Sequence, residues 1–102
     1  MIGRARFKAG DLEGAIQDVN RAIHLDPDQA LFYSELGEIH TTRGDLARAA
    51  QACGWAIQVD PQNPTQYTDR GLVRVKQGDL EGANQDFDRA IKLNPELHRP
   101  YN

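Results

Sequence analysis

Few residues in the chain are of a type that does covalent or acid–base chemistry, and their spacing rarely suits it. The pair with a reactive reading is Cys53, the single cysteine, and His40. A histidine beside a thiol draws off its proton and leaves a nucleophilic thiolate. The repeat pattern of the chain places His40 opposite Cys53 across a helical hairpin, on one stripe with Tyr33 and Leu36. No third group is available to orient the imidazole, and no oxyanion site is apparent. The residue types therefore favour the plainer alternative, two partly polar core residues. His24 and His98 complete the histidines, and no two of the three are four residues apart, so no helix face carries a pair of imidazole ligands. A lone cysteine also excludes an internal disulfide and a metal site built on several thiolates.

The carboxylates follow a different logic. Asp11, Asp45 and Asp79 are 34 residues apart, and each follows a glycine and precedes a periodic apolar segment. That is the position of a helix N-cap, where a carboxylate accepts hydrogen bonds from free backbone N–H groups. Glu13 and Glu81 fall in first turns, where negative charge suits the helix dipole. The Gly-Asp pairs lack the preceding strand that a phosphate-binding loop needs. The expectation is a chain with no catalytic residues, no metal and no cofactor, and so not an enzyme.

The elements that position these groups recur with the same period. Gly10/Gly44/Gly78, Leu12/Leu46/Leu80, Ala15/Ala49/Ala83, Ala22/Ala56/Ala90, Ile23/Ile57/Ile91 and Pro27/Pro61/Pro95 all fall 34 apart, as do Gly3, Gly37 and Gly71. A period of this size marks a solenoid of stacked supersecondary units. Steps of three and four through Leu46, Ala49, Ala50, Cys53, Ala56 and Ile57 make one helical stripe, and Phe32, Tyr33, Leu36, Ile39 and His40 make another. The Arg43-Gly44-Asp45 linker is short enough to force an antiparallel hairpin. Helices are predicted over 1–9, 13–25, 30–43, 46–59, 64–77 and 80–93, each second helix of a unit stopping before a proline. Asn63 is the expected cap of the helix that Pro64 opens. Gly37 and Gly71, facing alanines on the partner helices, are expected to allow close approach, while Gly54 lies off the apolar stripe as a weak point within its helix.

The segments GDLARAAQACGWAIQVDP and GDLEGANQDFDRAIKLNP, with Tyr33, Leu36 and Gly37 upstream, resemble the tetratricopeptide repeat over the whole chain. The resemblance implies an all-α, right-handed solenoid of three stacked helix-turn-helix units with open ends. The units run over 1–29 (partial), 30–63 and 64–97, with residues 98–102 starting a further repeat. GDLEGAIQDVNRAIHLDP of unit one agrees with its unit-three counterpart at 13 of 18 positions, so those two units are the more alike. The departures are Arg70, where the family usually has Leu, and Arg6, His40 and Arg74, where it often has Tyr. Long arginines of this kind are expected to lay apolar stems along the core.

The resemblance further implies a concave groove lined by the first helix of each unit. The non-core stripe of those helices supplies the candidate peptide-binding residues Arg4, Phe7, Lys8, Ser34, Glu38, Thr41, Thr42, Thr68, Leu72, Val75 and Lys76. The same stripe is also the solvated face of an amphipathic helix. Phe7, Leu72 and Val75 favour the groove, because apolar residues on such a stripe invite a partner. The family's clamp for a C-terminal carboxylate is not carried over, since Glu38 and Asp69 stand in that region. Trp55, off its helix stripe beside Arg48, Gln51 and Gln58, is expected to be exposed and is the outer-face candidate. A net charge of −3 with mixed signs argues against a nucleic-acid partner, and no apolar run approaches a membrane span or a signal peptide. The expected product is a soluble, cytoplasmic, non-catalytic protein- or peptide-binding module. Two alternatives stand beside it: a slice of a longer or head-to-tail self-assembling array, and the interaction module of a larger enzyme.

Overall fold

The computed structural model describes residues 11–95, which form five helices joined by short turns. They are α1 (Leu12–Leu25), α2 (Ala30–Arg43), α3 (Leu46–Val59), α4 (Pro64–Gln77) and α5 (Leu80–Leu93), each of 14 residues. Each helix packs on the next in sequence, and α2 also touches α4. Helices α2/α3 and α4/α5 are complete hairpins, and α1 is the second helix of the preceding unit. The helix expected over 1–9, and with it Arg4, Phe7 and Lys8, lies outside the described residues, as do His98 and residues 98–102.

The turn inside each hairpin is one device used twice. Gly44 and Gly78 take φ of 86° and 85°, a left-handed conformation that suits glycine. The next residue then closes one helix and opens the other. The Asp45 N–H donates to the His40 carbonyl at 2.9 Å while its carboxylate accepts from the Arg48 N–H at 3.3 Å. Asp79 repeats both bonds, with the Arg74 carbonyl at 2.8 Å and the Gly82 N–H at 2.9 Å. Asp11 departs from its expected role. With φ −116° and ψ 10° its backbone differs from that of Asp45 and Asp79, and its side chain makes no capping bond to α1. A capping residue ordinarily sits in the β region, from which its side chain reaches the N–H groups of the first turn.

The turns between units are built on the prolines. Asp26 and Asp60 adopt extended backbone ahead of Pro27 and Pro61. The next unit's tyrosine then ties the turn down: Tyr33 and Tyr67 each donate a 3.0 Å hydrogen bond to the proline carbonyl six residues earlier. Asn63 caps α4 as expected, accepting from the Thr65 N–H at 3.0 Å.

Small side chains dominate the core. Ala15, Ala49, Ala52, Ala56, Ala83 and Ala90 are all buried, with Val19, Leu36, Ile39, Cys53 and Val73 between them. One cluster joins α1, α2 and α3 through Ala15, Val19, Leu36, Ile39 and Ala52, and another joins α3 to α4 through Ala49, Cys53 and Val73. A Cβ on Gly37 would lie 3.2 Å from Cys53 Sγ, and one on Gly71 would lie 2.5 Å from the Phe87 ring. Gly54 differs, because a Cβ there meets nothing within 4 Å.

Gly54→Ala is therefore expected to stabilise the protein by about 0.5–1 kcal/mol, the helix-propensity difference. Gly71→Ala is expected to destabilise it by roughly 1–3 kcal/mol through overpacking. Urea denaturation of the two variants measures both, and a loss of stability in Gly54→Ala would show that the open space is needed.

Candidate functional site

The face shared by α2 and α4 carries a groove of about 300 Å³. Ser34, Glu38, Thr41 and Thr42 come from α2, and Asp69, Leu72 and Lys76 from α4, with Gly37, Cys53 and Val73 also lining it. Four of these the stripe pattern does not single out as contacts: Gly37, Cys53, Asp69 and Val73. Gly37 and Cys53 reach the groove because the missing side chain of the glycine uncovers the sulfur beneath it. Thr68 and Val75 are not on this wall; Val75 is exposed, and the Thr68 hydroxyl donates to the Pro64 carbonyl at 3.2 Å.

The hydroxyls of the wall are turned away from it. Thr41 donates to the Gly37 carbonyl at 2.8 Å and Thr42 to the Glu38 carbonyl at 3.0 Å, the i−4 bond available to a threonine inside a helix. Ser34 donates to Oε1 of buried Gln66 at 2.7 Å and so joins α2 to α4. The wall is less polar than its composition: methyl groups, Val73, Cys53 and Leu72 supply its surface, and Leu72 is 52% exposed. Its charged groups among the described residues are Glu38, Asp69 and Lys76.

Burial disarms the candidate reactive pair. A Cβ on Gly37 of α2 would lie 3.2 Å from Cys53 Sγ. Burial pushes the Cys53 thiol up to about 12, with Asp69 adding to the effect and Arg70 opposing it, so no thiolate forms at neutral pH. His40 is 7% exposed, and its Nδ1 has no hydrogen-bond partner among the described residues. Burial holds it below the ordinary histidine value, against the pull of Asp45, with the charges of Arg43, Arg48 and Glu13 also acting on it.

The arginines that depart from the family pattern hold a buried carboxylate. Asp86 of α5 is 0% exposed. Arg70 grips it with Nε and Nη2, both at 2.9 Å, and Arg74 Nη1 donates to its Oδ2 at 2.9 Å. Arg89 approaches the same carboxylate at 3.8 Å. The hydrogen bonds to Asp86 raise the Arg70 pKa despite burial. A two-pronged, charge-assisted grip of this kind is the geometry in which a buried ion pair is satisfied. The signal lay in the sequence as two arginines one turn apart with an aspartate on the facing helix.

On the opposite side, Trp55 is 39% exposed and meets Tyr33 edge-on, with ring centres 6.0 Å apart. The two aromatic residues line a shallow pocket with Asn20, Ile23, Leu36, Gln58 and Val59. Among the described residues no group of three metal-ligating side chains assembles, and no helix is long and apolar enough to cross a membrane.

Two family models, both described as tetratricopeptide repeat, match residues 36–100 and 1–64. No curated protein matches the sequence. Among solved structures, the second tetratricopeptide domain of human RPAP3, in complex with the HSP70 peptide SGPTIEEVD, is similar at 30% identity and a TM-score of 0.81, over 91% of this chain and 78% of that one. The first such domain of Spaghetti (RPAP3), bound to the HSP90 peptide SRMEEVD, is similar at 25% identity and a TM-score of 0.82, over 91% and 74%. MamA is similar at 26% identity and a TM-score of 0.84; the chain is covered over 94% of its length and spans 56% of MamA.

Two measurements follow from the buried polar groups. Asp86→Ala leaves two guanidinium groups without their acceptor and is expected to cost roughly 3–5 kcal/mol in denaturant unfolding; a loss below about 1 kcal/mol would mean that water replaces the carboxylate. His40 binds its proton less readily in the folded chain than in the unfolded one, whose value is 6.5. Its contribution is therefore complete above that pH and is lost as the pH falls below it. Melting temperatures between about pH 7.5 and 5.5 should fall more steeply for the native chain than for His40→Leu, and parallel slopes would contradict the assignment.

Proposed function

Because the chain belongs to the tetratricopeptide repeat family, we propose that it is a non-catalytic interaction module that holds a segment of a partner protein in the groove between α2 and α4. The observation that carries this reading is Leu72, an apolar side chain half exposed on a wall whose threonine hydroxyls are already bonded to their own helix. Such a surface gains free energy when an apolar side chain covers it and loses no hydrogen bond in the process.

The charges restrict the occupant. The RPAP3 domains hold peptides that end in Glu-Glu-Val-Asp. In this groove Glu38 and Asp69 oppose an acidic tail, and among the described residues Lys76 is the one cation on the wall. The occupant is a segment with an apolar anchor for Leu72 and neutral or basic residues around it. Like-charge contacts exclude wrong partners more effectively than attractive ones select right ones.

Peptides selected from a random display library against the whole chain supply the probes, with binding read by fluorescence anisotropy. Leu72→Ser is expected to weaken the selected peptides by about tenfold or more, with an unchanged far-UV circular dichroism spectrum. SRMEEVD is expected to bind no better than its scrambled sequence. Binding that survives Leu72→Ser and disappears in Trp55→Ala would move the site to the outer face.

A further inference from the structure

The groove between α2 and α4 does not end beside Leu72. Toward the N-termini of both helices it opens into a second hollow of about 490 Å³, and the two hollows share Ser34 and Asp69 on their walls. At the junction the Ser34 hydroxyl donates to Gln66 Oε1 at 2.7 Å and ties α2 to α4. The chemistry changes from one hollow to the next. The first presents Leu72, Val73 and Cys53. The second is lined by three carboxylates, Asp28, Asp60 and Asp69, and by no cation among the described residues.

Taking the α2/α4 groove as the binding site, on which this reading rests, we propose that the second hollow holds a lysine or arginine side chain of the bound segment. The groove then reads an apolar residue and a basic one at a fixed separation. Leu72 lies six residues beyond Gln66 on α4, roughly 9 Å along the helix axis. An extended segment covers that distance in about three residues, so the cation of the occupant sits about three residues from its apolar anchor.

Charge selects the class of occupant. Three carboxylates around one space repel one another, and a bound cation removes that repulsion while an anion adds to it. Helix N-termini attract carboxylates on their own account, which covers Asp28 and Asp60 beside α2 and α4. It does not cover Asp69, which stands in the second turn of α4, past the end of the dipole. Asp60 also serves its turn, where its Oδ2 accepts from Asn63 Nδ2 at 3.1 Å; the donor is neutral and leaves the charge in place. Shape selects a long side chain. Leu31, 50% exposed, and Val59 line the same hollow as the acids. They offer apolar surface to the methylene stem of lysine or arginine, whose charged head then meets the carboxylates.

Peptides selected from a random display library against the whole chain are the probes. The enriched sequences are expected to carry Lys or Arg about three residues from an aliphatic or aromatic residue. Exchanging that basic residue for norleucine keeps the stem and removes the charge; it is expected to weaken binding about tenfold, as is Asp28→Asn/Asp60→Asn. The two losses are expected not to add when combined, because both remove one contact. Glu81→Gln/Asp88→Asn removes the same charge from exposed positions on α5 and is expected to change binding by less than about twofold. On the native chain, the norleucine peptide is expected to leave the backbone amide resonances of Asp28, Asp60 and Asn63 in place while that of Leu72 still moves, a readout that needs no variant to fold. If Leu72→Ser weakens the peptides but the norleucine exchange does not, or the α5 pair weakens them as much as the Asp28/Asp60 pair, the groove stands and the basic subsite is overturned. If Leu72→Ser has no effect either, or no peptide is enriched, the groove falls with it.

Discussion

A carbon atom added to Gly71 would fall 2.5 Å from the ring of Phe87, and one added to Gly37 would press on Cys53. The approach of the two helices in each hairpin is set by these absent side chains and by the buried alanines on the facing helices. Helices this close leave little volume between them, so the core is built from methyl groups, a thiol and a few branched residues. Interiors at crystal-like density transmit any added atom to their neighbours. Close packing within hairpins also sets where space remains. The groove lies between the first helices of successive units, where α2 and α4 barely touch.

A core of small residues cannot hide an unpaired charge, yet the second complete hairpin holds a fully buried carboxylate. It is tolerated because three guanidinium N–H donors reach it with good geometry. Arg70 and Arg74 stand where Leu36 and His40 do one unit earlier. The same backbone thus accommodates two solutions to one problem: apolar contact over Ala52, and a satisfied ion network over Asp86. The energetic logic differs between them, since the apolar version tolerates the loss of either partner better than the ionic one does.

The groove shows how hydrogen bonding reshapes a surface. Thr41, Thr42 and Ser34 are polar by composition, but each hydroxyl proton is already donated within the protein. What they offer a partner is an oxygen lone pair and, from the two threonines, methyl surface. Cys53 likewise contributes a protonated, weakly polar sulfur instead of a nucleophile. The chemistry of the wall is therefore that of an apolar strip edged by Glu38, Asp69 and Lys76.

The sequence by itself determined the helices, their ends and their order, because those depend on signals within a few residues of one another. Glycine, proline and capping aspartate act locally, and the 34-residue period repeats each signal where it can be checked against its counterpart. Helices α2, α3, α4 and α5 fall where the pattern predicts, and α1 starts one residue earlier. Exposure of Trp55 and the open space beside Gly54 were also legible, since both lie off a countable stripe. What the tertiary structure alone decided concerns partners on different helices. That Arg70 and Arg74 meet Asp86, that Cys53 packs beneath Gly37, and that Asp11 makes no cap bond while Asp45 and Asp79 do, are outcomes of distances of a few ångströms. A stripe places a residue on a face to within a turn, whereas a hydrogen bond is made or lost within about half an ångström, and only the packed helices resolve that difference.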